Sequence, residues 1–488
     1  MRGELLEPSG RAYEDIDVKV IDARAYLKHT SARYDIITLM NTYTEHNIAY
    51  FGEPDFVHTR EALHDYLDHL SDKGFLVLEE RDVNKRARCA IFRLVNNFMT
   101  VLEERGWSRP ERHFFIYNVN TDKAKHRGTW YTFIVVKKTP LSDRDRDWFR
   151  RWIANRHHLE YVLEQEVSPD MDFTAGMHTQ VEYLGGEAGR EENESEYSRF
   201  LHILPAGNRG DFLGASMRLA PTSDDNPYIF DVDTERREIK RLLKNLSVLC
   251  MLIGAVVLAV LIFSRKGANP LSAGPARPGP LQTVFCLLYF VLIGLGYFIV
   301  EITLLKFYQS HTGSPTNSLI FILGGLLFFT GAGSYLSEGA PQRRVVWGFA
   351  GVALLAAYHI FLGRGLLDRL DAPVWLENFV LSATVAPLGF CMGISFPFGL
   401  RTVKQYHGEA RVPLFVAVNS LASAFAIGAG LFLCVSLGFR TTALIGVGCY
   451  ACALPAILFV RARSFPRRSV GSGGALERLE RSFSRRSG

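Results

Sequence analysis

The chain has 488 residues, 48% of them apolar and 22% charged, and a formal net charge of +5. That charge content excludes a disordered chain, and 42 Gly with 20 Pro exclude a collagen-like repeat. With so small a net charge and no basic face interleaved with aromatics, nucleic acid is not an expected partner. The average conceals a division. Residues 1 to about 245 carry most of the charge, and 246 to about 460 hold apolar runs long enough to cross a bilayer.

The opening residues are polar and acidic and do not read as a signal peptide. IDVKVIDA (16–23) then reads as a strand ending in an acid, and ARAYLKHT (23–30) as a short helix. YDIITLMN (34–41) is a second strand, TREALHDYLDHL (59–70) an amphipathic helix and GFLVLEE (74–80) a third strand. KRARCAIFRLVNNFMTVLEERG (85–106) has apolar residues at helical spacing. HFFIYNV (113–119) and GTWYTFIVVKK (128–138) form an antiparallel terminal pair. Strand and helix alternating in this way imply a mostly parallel sheet covered by helices. The order is that of the second half of a class I methyltransferase sheet.

An acid closing a strand has a mechanical reason to be there. Open α/β sheets bind ligands beyond the carboxyl ends of their strands, and Asp22 followed by the small Ala23 could accept an adenine amino group while the backbone stays close to the ring. The charged stretch from 141 to 245 includes a helix with a solvated face, DRDRDWFRRWIANRHHLEYVLEQE. Adjacent His157 and His158 point to different sides of it, so no shared metal is expected. ERREIKRLLKN (235–245) is basic and amphipathic and should lie at the membrane surface.

Seven candidate spans follow, at about 246–263, 281–304, 317–336, 345–362, 374–396, 414–436 and 441–460. GGLLFFTGAGS (324–334) offers small residues for close helix approach. Gly446 and Gly448 fit packing better than a dinucleotide fingerprint, and Cys449 with Cys452 has CxxC spacing but no βαβ context for redox work. Ionisable residues in spans are costly and therefore functional candidates. Glu301 is the clearest, balanced between packing and a substrate or proton path, and Arg401 and Asn419 could face it. His359, near a helix end, fits packing better. Lys and Arg near the span ends lean toward the side of the carboxyl tail, which the positive-inside rule would place in the cytoplasm.

IDARAYL, YDII and HTREALHDYLDHLSDKGFLVLEE resemble the later half of the spermidine synthase-like transferases. With PTSDDNPYIF (221–230), GLGYFIVEITLLKF, FPFGLR (396–401) and VNSLASAFAIGAG (418–430), the chain is similar to bacterial membrane proteins described as fused transporter-like/spermidine synthase-like. The resemblance implies a partial α/β Rossmann-like domain of the class I methyltransferase type, its first two strands missing, followed by an all-α polytopic membrane bundle. The corresponding divisions are 1–140 for the partial domain, 141–245 for a charged extension and amphipathic linker, 246–460 for the membrane domain and 461–488 for a basic flexible tail.

The resemblance further implies S-adenosylmethionine or its decarboxylated form as donor, with Asp22 and Ala23 at the adenine and residues 40–48 at the reacting group. Aminopropyltransferases carry aspartates in that loop, whereas LMNTYTEHN has Met40 and Tyr43 instead, leaving Asn41, Glu45 and His46 as the catalytic candidates. No GxGxG-like segment stands upstream of residue 16. A separate chain supplying the missing half is therefore an expected partner, together with membrane lipid. Without the first two strands, an exposed parallel edge should result. The expected activity is aminopropyl or methyl transfer at a bacterial inner membrane. The alternative is a non-catalytic transport or scaffold protein with a degenerate nucleotide-binding-like domain.

Overall fold

The computed structural model describes residues 17, 19, 22–40, 54–82, 85–120, 130–154, 178–184, 187–188, 218–232, 241, 244–245, 248, 279–370 and 372–464. Its amino-terminal region is built on strands β1 (Tyr34–Leu39), β2 (Leu70–Asp82), β3 (Phe114–Asn120) and β4 (Trp130–Lys137), extended by β5 (His178–Leu184) and β6 (Glu187–Ala188). Spatial order is β1-β2-β4-β3-β5-β6. β1 and β2 are parallel, with Ile37 opposite Leu76, and the remaining pairs are antiparallel. The expected terminal antiparallel pair is thus present as β3 and β4.

Helices α1 (Ala23–Lys28), α2 (Arg60–Asp68), α3 (Lys85–Glu104) and α4 (Asp143–Ala154) flank the sheet. Leu63, Tyr66 and Leu67 of α2 and Phe92, Val95, Phe98 and Leu102 of α3 share one core with Leu76, Leu78, Ile134 and Val136. Alternation along each strand sends the intervening residues to the other face. There Phe115 and Val135 pack with Phe149 of α4.

Of the strand expected over 16–23, Asp17, Lys19, Asp22 and Ala23 are described; none is in a strand, and Ala23 opens α1. A strand requires a laddered neighbour. Among the described residues the outer edge of β1 has no pairing partner, and Ile36 is 61% exposed.

Among the described residues, six helices are long and apolar enough to cross a membrane: α5 (Pro280–Phe307), α6 (Pro315–Leu336), α7 (Gln342–Leu367), α8 (Val374–His407), α9 (Glu409–Leu437) and α10 (Phe439–Ala462). They make this an integral membrane protein by length and composition. The candidate span at 246–263 lies outside the described residues. α5 is the central helix, packed extensively on α9 and α10, while α6 pairs with α8. Phe328, Trp347, Leu354, Phe361 and Trp375 are exposed, as a lipid-facing surface requires.

Glycines set the closest approaches. A Cβ on Gly393 would lie 2.1 Å from the Thr330 carbonyl oxygen, and one on Gly333 2.1 Å from that of Phe390. The small-residue pattern at 324–334 therefore does what its composition suggested. Gly446 packs against Val300, whereas Gly448 faces open space. Cys449 and Cys452 are both free thiols on α10.

Short connections force successive spans to reverse direction. Residues 308–314, 368–373 and 438 consequently lie at one end of the bundle, and 337–341 and 408 at the other. The sheet region is seated on the first end. Phe56 and Tyr228 belong to the same apolar cluster as Tyr308, Phe307 and Phe439.

Candidate functional site at the carboxyl edge of the sheet

The segment entering α2 lies beside the carboxyl end of β2. Asp55 and His58 are three residues apart there, and His58 Nδ1 lies 2.7 Å from Asp55 Oδ2. On the other side of the ring, Nε2 lies 3.0 Å from Oε1 of Glu80, near the carboxyl end of β2. His58 is 1% exposed. Burial alone would lower its pKa, but the two carboxylates outweigh it and raise the imidazole well above its ordinary value. The result is a buried imidazole between two carboxylates at the sheet edge where open α/β sheets hold ligands.

The array is clamped from α3. Asn97 Nδ2 donates to the His58 carbonyl at 2.8 Å and to Thr222 Oγ1 at 2.7 Å, while its Oδ1 accepts from the Thr222 amide at 2.9 Å. Arg93 donates to the carbonyls of Ala220 (2.6 Å) and Tyr228 (2.7 Å). The segment 219–231 is thereby held across one edge of the site.

Its acidic pair divides the labour. Asp224 Oδ1 accepts from Arg24 at 2.5 Å and from Thr59 Oγ1 at 2.7 Å, and its Oδ2 accepts from Arg364 of α7 at 2.7 Å. Although burial acts to raise it, Arg364 and Arg24 push Asp224 down to about 2. Asp225 instead opens α10: its carbonyl accepts from the Phe439 amide and its Oδ1 from the Arg440 amide, both at 2.9 Å. Phe56 stacks on Phe439 with centroids 6.2 Å apart, and the Arg364 guanidinium lies 5.5 Å from the Phe56 ring. Nearby, Asp368 bridges Lys28 and His311, the latter at 3.0 Å. Burial drives His311 down to about 3, so it sits there as a neutral ring.

Asp22 stands at the start of α1. Its Oδ1 accepts from the Arg24 and Ala25 amides at 3.0 Å, making it the N-cap of α1. Ala23 is exposed in the first turn of that helix. Asp22→Ala is expected to cost about 1 kcal/mol, read as an earlier midpoint in denaturant unfolding of the sheet region. Asn41, Glu45 and His46 lie outside the described residues.

The three polar residues expected to meet in the bundle are apart. Arg401 donates to the carbonyls of Ser337 and Ala340, at the end away from the sheet. Asn419 packs against Gly294 of α5, about two turns from Glu301. The reason is helix geometry: Arg401 lies in the final turns of α8, beyond the depth of Glu301, and Asn419 faces a glycine that admits α9 closely. Glu301 is 7% exposed, and its Oε2 and the Tyr297 hydroxyl have no hydrogen-bond partner among the described residues. His359 has the packing role, with Nδ1 3.0 Å from the Tyr308 hydroxyl and Nε2 3.2 Å from the Thr384 carbonyl.

Sequence reasoning passed over Asp55, His58, Glu80, Arg24 and Arg364. The i, i+3 spacing of Asp55 and His58 just before an N-cap, with an acid closing the next strand, was the available signal. No group of three or more His, Cys, Asp or Glu among the described residues is arranged to hold a metal ion. Comparison with protein-family models, curated proteins and solved structures finds no match.

Proposed function

We propose that this is a membrane-anchored transferase of the spermidine synthase-like type, moving an aminopropyl or methyl group from decarboxylated S-adenosylmethionine or S-adenosylmethionine in a bacterial inner membrane. The observation that carries the reading is the Asp55–His58–Glu80 array at the carboxyl edge of the parallel pair β1/β2. A proton-handling group is what transfer to an amine or hydroxyl requires at that edge.

Within this reading a separate chain supplies the glycine-loop half of the donor site. Asp22 is the single acid offered to the adenine, and its Oδ1 is committed to capping α1. No catalytic step is assigned to the donor here.

A second reading, a non-catalytic transport or scaffold protein with a degenerate nucleotide-binding-like domain, is favoured by the committed Asp22 and by the buried Glu301 with its unpartnered oxygen. Calorimetry on the full chain in nanodiscs separates the two. The chain alone should bind S-adenosylmethionine weakly or not at all. Adding a polypeptide that carries the glycine-loop half of a spermidine synthase-like domain should create micromolar binding, lost in Asp22→Ala. No binding in the pair supports the second reading, and micromolar binding by the chain alone refutes the need for a second chain.

A further inference from the structure

Glu301 lies six residues before the sheet-facing end of α5, roughly 9 Å along the helix axis. Its side chain does not reach out to that end, because it is buried with Oε2 unpartnered among the described residues. Tyr297, one turn earlier on the same face, ends in a hydroxyl that is equally without a partner there. A polar side chain kept in a bundle for packing alone is expected to spend its atoms on hydrogen bonds, as His359 spends both ring nitrogens on Tyr308 and Thr384. Glu301 does not.

Its surroundings offer the carboxyl no countercharge. Lys306, five residues further on, projects about 140° round the helix from it. Tyr450 of α10 packs on Gly296, Cys434 of α9 lies 3.7 Å from the Thr303 hydroxyl, and His359 of α7 is turned to Tyr308. Arg364 of α7 is committed to Asp224 and Ser310, and Arg401 of α8 is held at the opposite end of the bundle. From α6, Thr330 stands beside Tyr297, and its hydroxyl donates to the Gly389 carbonyl at 3.1 Å. An ionised carboxylate left alone in such a place costs far more than a neutral acid. Two free oxygens are also too few for a metal cation, which gathers about six. They are enough for one proton.

We infer that Glu301 is a proton-binding site within the membrane. In this arrangement of the helices its carboxyl carries the proton, with the Tyr297 hydroxyl as the neighbouring polar group, and it unloads only when α5 and α6 part and admit water. The site rests on the bundle alone and holds under either functional reading.

Carbodiimides test it, because they add to a carboxyl that brings its own proton: the proton moves to a nitrogen of the reagent as the carboxyl oxygen bonds its central carbon. On the full chain in nanodiscs near neutral pH, lipid-soluble dicyclohexylcarbodiimide should modify Glu301, read by peptide mass spectrometry, and a water-soluble carbodiimide should not. Added sodium should leave the modification unchanged. Asp368, paired with Lys28 and His311, is the internal control and should stay unlabelled. Glu301→Gln, which imitates the neutral acid, should keep the thermal midpoint of the native chain. Absence of label on Glu301, its protection by sodium, or equal attack by the water-soluble reagent overturns the site. A marked loss of stability in Glu301→Gln also overturns it, since a carboxyl already neutral loses no charge in that exchange, and labelling of the native chain needs no variant to fold.

Discussion

Replacing Asp224 by Ala is expected to cost about 3–5 kcal/mol and to release the sheet region from the bundle. Arg24 is 4% exposed and has only Asp224 and Asp65 as ionic partners among the described residues; Arg364 also bonds Asp224. Removing the shared carboxylate leaves two cations facing one another at a buried contact. Limited proteolysis in detergent should then cut between the two regions, and the sheet should unfold at lower denaturant while the helices persist. Asp224→Asn should fall close to Ala, because the amide keeps the shape and loses the charge. The pH dependence has a definite sign. With its folded value held at about 2, below the ordinary carboxyl range, Asp224 contributes fully above the unfolded value. That contribution fades only as pH falls toward 2, so mild acid should leave the docked state intact in the native protein. Persistent docking of Asp224→Ala under these conditions would assign the contact to the apolar rings instead.

The second large effect concerns Gly393. Even Ala there would bring a Cβ to 2.1 Å from the Thr330 oxygen, a backbone atom that cannot swing aside. Helices α6 and α8 must separate, at a cost of about 2–3 kcal/mol by overpacking. Gly448→Ala is the matched control, since nothing stands within 4 Å of the added methyl and alanine favours helix. Thermal unfolding in detergent should show a lowered midpoint for Gly393→Ala and none for Gly448→Ala. Equal midpoints would mean that the two helices are not held at glycine distance.

Much of the secondary structure was legible because its signals are local. Amphipathic spacing in 85–106 and alternation in 128–138 need no knowledge of the rest of the chain, and both elements are present as α3 and β4. Bilayer-length apolar runs are legible for the same reason. IDVKVIDA failed at its described positions because a strand is completed by its neighbours, and the pattern alone cannot supply them. Asp22 sits at the start of a helix, where its Oδ1 is satisfied by two amides, a cap that the strand reading of 16–23 did not anticipate. PTSDDNPYIF was visible as an acidic motif, but what Asp224 and Asp225 do depends on Arg24, Arg364 and Phe439, far away in the chain. His58 was overlooked for a related reason. A charged imidazole inside a core is costly unless two carboxylates converge on it, and Glu80 reaches it only through the β2 register.

The capping of α10 by Asp225 bears on how the protein is made. The carbonyl and carboxylate that satisfy the first amides of α10 belong to a loop synthesised more than two hundred residues earlier. Chains generally mature from the amino end as they leave the ribosome. The sheet can close on Asn97 and Arg93 early, yet its acidic loop must wait for the final helix to insert before Asp225 and Phe56 are covered. Biogenesis therefore ends with a latch, and a chain stopped short of α10 would present quality-control proteases with a finished sheet and an open seam.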